Sequence, residues 1–242
     1  MPFLRAAHRP TGNPLTTLGI IVGLKAESRI ARRLHAPVAI GGGTQAGARA
    51  AAQSLLAQGA TALLSFGSAG GLDPSLPAGT IIIPSAVVTE TGHYSTDPRL
   101  SAALGGPTPH LLLAAAQPIA TAQAKQHLHV ETGCAAVDME SGAVAEAATA
   151  AAIPFAVLRA ICDPAERTVP PAALIALDAR GVINLRRIAI SVARDPTQIP
   201  SLLALARDGT RARRTLAVHL SRLREKWARV SAPGEGQPGA AP

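Results

Sequence analysis

The chain has 242 residues, 48% of them hydrophobic, enough for one sizeable core and for one or two domains. Aromatics make up only 2%, so the stacking platforms of a single-strand nucleic-acid binder are missing and the core must be Ala, Leu, Ile and Val. The net charge of +8 suits a polyanion or an anionic membrane surface and says nothing about fold. Two cysteines, Cys134 and Cys162, make neither a disulfide framework nor a metal site and read as reduced, buried thiols. No apolar run is long enough to span a bilayer. The opening MPFLRAAHRPTGNPLTT lacks the apolar segment and cleavage site of a secretory signal, so a loose leader is expected over residues 1–17.

Residues 18–23, LGIIVG, read as a strand ending at a glycine. Helical periodicity follows over 25–34, with Glu27 in the first turn. An acid there complements the helix dipole whether or not it has another role. Residues 38–40 form a second short strand, which runs into GGGTQAG at 41–47 and a helix over 48–58. A glycine turn feeding a helix N-terminus is a natural place for an anion or a sugar. Gly41, Gly43 and Ala46 imitate the dinucleotide fingerprint, but the acid expected about twenty residues later is missing, which excludes a Rossmann cofactor site.

Residues 62–66, ALLSF, are a third strand, closed by the glycine-rich 67–71. Glycines let backbone approach a ligand and Ser68 offers a hydroxyl; a tight strand-to-loop turn is the plain alternative. Residues 80–84 are a fourth strand, and 86–88 continue it or pair nearby. The polar, Gly- and Pro-rich stretch 89–109 reads as a long loop of the kind that forms lids, with His93 as a solvated histidine. Another strand at 111–114 and a helix over 121–130 follow.

The stretch 136–163, AVDMESGAVAEAATAAAIPFAVLRAICD, is the most informative. Glu140 opens a helical run over 141–152, Pro154 breaks it, and 155–158 read as a buried strand leading to Asp163. An acid at the exit of a buried parallel strand lies where open α/β sheets keep their ligands. Gly23, the glycines of 67–71 and Asp163 all fall at strand C-terminal ends, and this convergence points to a site more strongly than any of them alone. Residues 165–171 form an irregular loop able to cover a pocket. Two helical tracts, 185–193 and 199–229, carry Arg186, Arg187, Arg194, Arg207, Arg211, Arg213 and Arg214 among other cations, interleaved with leucines. Such helices either lie on an anionic membrane or pack with a solvated arginine face. The alternation predicts an α/β fold: a mixed, mostly parallel sheet flanked by helices. One catalytic domain is expected over 18–184, basic helices packed on it over 185–230, and a disordered tail over 231–242.

Four pieces in order, GIIVGLKAE at 19–27, SFGSAGGL at 65–72, VDMES at 137–141 and LRAICDPA at 158–165, resemble the nucleoside phosphorylase and nucleosidase superfamily. That branch contains purine nucleoside phosphorylases and methylthioadenosine/S-adenosylhomocysteine nucleosidases. Including PAALIALDARG and SLLALARDGTRAR, the whole chain is most similar to the hopanoid-associated phosphorylases, which are assigned the removal of adenine from adenosylhopane. The resemblance implies roles for the matching positions. Asp163 resembles the general acid at adenine N7. Glu27 resembles the carboxylate that orients attacking water. Glu140, with Met139 beside it, resembles the holder of the ribose hydroxyls. Gly67 and Ser68 resemble the catalytic end of the pocket, and Ile119 the base-stacking position. It implies no cofactor, no metal and no nucleic-acid partner. It implies an adenosyl lipid as substrate, inorganic phosphate as a second candidate nucleophile, a homodimer, and a cytoplasmic enzyme touching the inner membrane through its basic helices.

The chemistry follows from the bond. Breaking an N-glycosidic bond builds positive charge on the ribose and negative charge on the leaving base, so one acid belongs at the base and one carboxylate near the sugar. Burial would raise the Asp163 pKa and a nearby Arg159 would oppose it. Two departures bear on the nucleophile and substrate. Phosphorylases carry a phosphate-binding arginine just before their GS motif; here that position is Phe66, which favours water. Lys25, Arg49 and the turn 41–43 remain candidates for holding phosphate. The segment between Leu34 and Val38 is shorter than in ordinary nucleosidases, which would open the pocket for a bulky 5′ group.

Overall fold

In chain order the elements are β1 (Leu18–Val22), α1 (Lys25–Ala31), β2 (Val38–Ile40), α2 (Gln45–Ala57), β3 (Ala62–Gly71), β4 (Ile81–Ile82), β5 (Ala86–Thr89), β6 (Gly92–Ser95), α3 (Pro98–Ala103), β7 (Leu111–Ala114), α4 (Ala122–Thr132), β8 (Ala136–Asp138), α5 (Ser141–Ala150), β9 (Phe155–Asp163), α6 (Pro171–Leu174), α7 (Leu185–Arg194) and α8 (Ile199–Ser231). The structure, a computed structural model, describes residues 17–176 and 182–231, and the side chains among them up to Leu223. The leader expected over 1–17 lies outside the described residues except for Thr17, and the tail expected over 231–242 except for Ser231.

Strand alternation decides the layers. Ile20 and Val22 of β1, Leu64 and Phe66 of β3, and Ala156, Leu158 and Ala160 of β9 point to one face, where Ala212, Leu216, Leu220 and Leu223 of α8 cover them. Ile21, Leu63 and Val157 point to the other, against Ala48, Ala52 and Leu55 of α2 and Val144 and Ala148 of α5. The result is a single-domain α/β fold with helices on both faces of a mixed, mostly parallel sheet. β1 pairs in parallel with β2 and β3, β3 with β9, and β7 with both β5 and β8. The pairs β3–β8, β4–β9 and β5–β6 are antiparallel.

β3 organises the sheet. One edge pairs with β9 along almost its whole length. The other pairs with β1 up to Phe66 and with β8 only from Gly70. Between those points no strand among the described residues lies beside the edge, a local switch of the kind where α/β sheets take ligands.

Several elements differ from the sequence-based expectation. β3 does not close at Phe66 but runs through its glycines to Gly71. The stretch expected as a lid loop over 89–109 instead holds β6, which hairpins back on β5, and α3, capped by Asp97. α2 begins at Gln45 rather than at 48, and Thr44 caps it by accepting from the Gly47 N–H at 3.1 Å. The glycine turn before it is a packing requirement: a Cβ at Gly47 would overlap the Gly41 carbonyl, and one at Gly41 would lie 2.9 Å from the Ala48 backbone. β8 is a further strand that the sequence pattern does not announce.

For α8, the packed alternative holds over its described middle. Ala212, Leu216, Leu220 and Leu223 are buried, and the His219 ring nitrogen lies 2.7 Å from the Leu104 carbonyl. Leu216→Ala should therefore destabilise the protein by about 2–5 kcal/mol, read as a lower denaturant midpoint. An unchanged midpoint would show that α8 is not part of the folding unit.

Candidate active site

Alternation along β9 puts Phe155, Val157, Arg159 and Ile161 on one face, so Arg159 occupies a core position. It is only 1% exposed. Its Nη2 lies 2.5 Å from Asp138 Oδ2, 2.7 Å from Ser65 Oγ and 3.2 Å from Glu140 Oε2. β8 delivers Asp138 at its last residue, and Glu140 sits at the N-cap of α5. Asp138 also accepts from the Ser141 N–H at 3.1 Å and from its hydroxyl, which fixes the start of α5. Burial works against the charge on Arg159, but Asp138, Glu140 and Glu27 outweigh it and hold its pKa above the usual arginine value. Burial pushes the Glu140 carboxyl up to about 7; Arg159 opposes this, while Asp138 and Glu27 add to it.

Glu27 reaches the open edge of β3. Its Oε1 accepts from the Ser68 N–H at 2.8 Å and from the Ser68 hydroxyl at 2.6 Å. Its Oε2 accepts from the Leu24 N–H at 2.9 Å, so the same carboxylate caps α1. The first-turn acid therefore caps its own helix and also faces the cleft. Gly67 makes the approach possible, since a Cβ there would lie 2.6 Å from Arg159 Nη1 and 2.7 Å from Glu27 Oε2. Gly67 acts as a spacer behind the site and is not among the residues lining the cleft, unlike Ser68 and Gly70.

Asp163 ends β9. Its cation is Lys125 of α4, not Arg159. Lys125 is fully buried, and its Nζ lies 2.7 Å from Asp163 Oδ2. The same ammonium donates to the carbonyls of Asp163, Pro164 and Arg167 at 3.2, 3.0 and 3.0 Å. The Cys162 thiol donates to Asp163 Oδ1 at 3.1 Å, and burial raises the pKa of that thiol, keeping it protonated. The loop after Asp163 is thereby pinned, and Arg167 ties it to Asp208 of α8 at 2.7 Å. Val169 from this loop forms part of the cleft wall, as the sequence suggested for 165–171.

These groups surround one cleft of about 560 Å³. Glu27, Ser68, Met139, Glu140, Asp163 and Ile119 all line it, so every expected site residue except Gly67 is brought together. Sequence reasoning missed Asp138 and Lys125, and misplaced Arg159. The period-two run FAVLRAICD carried the signal for Arg159; Lys125 had none, being the buried residue of an otherwise polar helix. Of the candidates for holding phosphate, Arg49 is paired with Glu146 at 2.6 Å. Lys25 is exposed and outside the lining, and Phe66 is buried under α8. Gly42, Gly43 and Thr44 do line the cleft. Among the described residues no cluster of His, Cys, Asp and Glu is arranged to hold a metal ion.

The raised Glu140 pKa has a thermodynamic consequence. In the unfolded chain this group loses its proton near its ordinary value of 4.5, and in the folded protein near 7. Between these values the folded state holds more protons than the unfolded state, so this group lowers stability as pH rises through the window. Glu140→Gln should remove that component, giving a melting temperature that falls less than the parent's between about pH 4.5 and 7. Parallel melting curves would show that Glu140 titrates normally.

The fold is shared with solved nucleosidases. Native futalosine hydrolase of Helicobacter pylori superposes with a TM-score of 0.64 at 17% identity, covering 86% of this chain and 97% of that one. S-adenosylhomocysteine nucleosidase of Streptococcus pyogenes, in complex with 5-methylthiotubericidin, gives 0.61 at 17% identity over 88% and 99%. The 5′-methylthioadenosine/S-adenosylhomocysteine nucleosidase of Helicobacter pylori gives 0.60 at 16% over 85% and 97%. No curated protein sequence matches the chain. The family model described as the phosphorylase superfamily matches residues 26–194, a span that contains Glu27, Ser68, Asp138, Glu140, Arg159 and Asp163, and the chain belongs to that superfamily.

Proposed function

We propose that the protein hydrolyses the N-glycosidic bond of an adenosine-type nucleoside with a large apolar 5′ group, namely adenosylhopane, releasing adenine and leaving ribosylhopane. The observation that supports this best is the charge of the cleft. Glu27, Asp138, Glu140 and Asp163 converge on it, against two cations, Arg159 in its lining and Lys125 behind Asp163. A negative site stabilises a ribosyl cation and repels a phosphate dianion. Gly42, Gly43 and Thr44 remain the place where phosphate would rest in a phosphorolytic version giving phosphoribosylhopane.

In this reading the bond between ribose C1′ and the base nitrogen breaks with its electron pair leaving on adenine. Asp163 serves the base end, where a proton must reach N7. Water adds to C1′ from the side of Glu27, which orients it and receives its proton. Glu140 and Met139 hold the ribose hydroxyls, Ser68 keeps Glu27 aimed, and Ile119 packs on the base. Asp163 flanks Gly70 and Glu27 is bonded to Ser68, two residues back, so the two acids attend points about 7 Å apart along β3. Val169, Ala173, Leu174 and Leu205 give the rim of the cleft an apolar side suited to a hydrocarbon 5′ group.

Adenine release from detergent-solubilised adenosylhopane, with 5′-methylthioadenosine alongside and with and without phosphate, tests the reading. Cleavage of the lipid without phosphate is the expected result. Strict phosphate dependence would make the enzyme a phosphorylase, and equal rates on the small thioadenosine would make it a general nucleosidase. Asp163→Asn should lower base release by about 10²–10⁴-fold in protein whose circular dichroism spectrum shows it still folded, a control the test needs because the exchange also takes the anionic partner from the buried Lys125. Full activity in that variant would remove Asp163 from the chemistry.

A further inference from the structure

Most of the exposed large apolar side chains in the described chain lie in one stretch, between Leu174 and Leu203. Leu174 and Ile175 are at the end of α6, Ile183 leads into α7, Leu185 and Ile190 lie on α7, and Leu203 is near the start of α8. Leu185 is 73% exposed, and Ile183 and Leu203 are each 53% exposed. α7 has no buried side chain, although Leu185, Ile188 and Val192 recur at the spacing of one helix face. It packs on α6, and Ala173 and Leu174 of α6 line the cleft. Ile188 and Val192 are half-buried, while Leu185 and Ile190 stay exposed, so a partly packed amphipathic helix borders the mouth of the active site.

Its charge is as uneven as its apolar surface. Arg186, Arg187, Arg194 and Arg207 are all exposed within the same stretch. Of the acids there, Asp195 is exposed beside Arg194 and accepts from the Thr197 N–H, and Asp208 is paired with Arg167, so the described stretch stays net positive. We propose that α6, α7 and the first turns of α8 form a docking surface for an anionic lipid bilayer, seating the mouth of the cleft against the headgroups. Apolar side chains enter the interface while the arginines meet anionic lipid, as in interfacial amphipathic helices. A second copy of the chain fits less well, because an isologous contact would bring two copies of the arginine-bearing stretch into one interface, with like charge on both sides. The middle of α8 is not part of this surface, since its apolar side is buried against β9. The delivery of a lipid substrate from the membrane rests on the proposed function; the docking surface itself does not.

Flotation of the full chain with vesicles tests the surface without any substrate. Vesicles containing phosphatidylglycerol should carry the protein, and vesicles of phosphatidylcholine alone should carry far less. Arg186→Glu with Arg187→Glu should weaken flotation by roughly fivefold or more per arginine, and Leu185→Asp by about tenfold. Hydrolysis of 5′-methylthioadenosine in solution should be unchanged in these variants, while cleavage of adenosyl lipid embedded in vesicles should fall with flotation. Equal flotation of parent and variants would overturn the proposal. So would a parent that ignores vesicles but forms dimers that Leu185→Asp dissolves. Vesicle binding that depends on these residues, with no cleavage of the lipid, would uphold the surface and overturn the substrate.

Discussion

A guanidinium almost sealed from water persists in this fold because acids come to it. Isolated, the charge of Arg159 would be too costly to bury, and removing one member of such a buried pair costs about 3–5 kcal/mol. Each partner arrives on a different element: Asp138 on β8, Glu140 at the start of α5, Ser65 on β3. The cluster therefore fixes the relative positions of three pieces of backbone around one point. Glycine at position 67 follows from the same constraint, because any side chain there would fill the space that Arg159 and Glu27 share. The ion cluster thus builds the floor of the cleft as well as occupying it.

The second constraint is the open edge of β3. A strand with an unpaired N–H in the interior of a protein must find an acceptor elsewhere. At Ser68 that acceptor is Glu27, from a helix that starts just past the end of the neighbouring strand β1. Lining the cleft and satisfying the backbone are then one and the same contact. This explains how a short helix of seven residues can hold an acid in place: the carboxylate is fixed at both ends, by its own helix cap and by β3.

The layers are legible in the sequence because they rest on apolar alternation, carried mostly by Ile, Leu, Val and Ala, with Phe66 and Phe155 as the buried aromatics. The acids Glu27, Glu140 and Asp163 are legible because each stands next to a strand end or helix start, where local pattern and site coincide. Lys125 is not, since its burial comes from the descent of α4 past the end of β9, a tertiary event without a local trace. Asp138 stands in view beside Glu140, but a residue closing a three-residue strand reads like any loop acid. β6 escapes for a similar reason: GHYS is short, polar and paired on one side only, so it lacks the alternation that marks interior strands. Arg159 reads as a neighbour of Asp163 because sequence distance suggests it. Along the strand the two are four residues apart, and different acids claim the nearer cation.

The four oxygens gathered around Lys125 form a cage for an ammonium ion. A rotating NH₃⁺ can share three protons among converging acceptors at little cost, whereas a planar guanidinium presents a fixed fork. Arginine would keep the charge at this position and lose the fit. With no exposure to solvent, the amine is also shut away from reagents and enzymes that modify lysines, so the residue behind Asp163 is chemically silent although it carries one of the strongest local charges near the site.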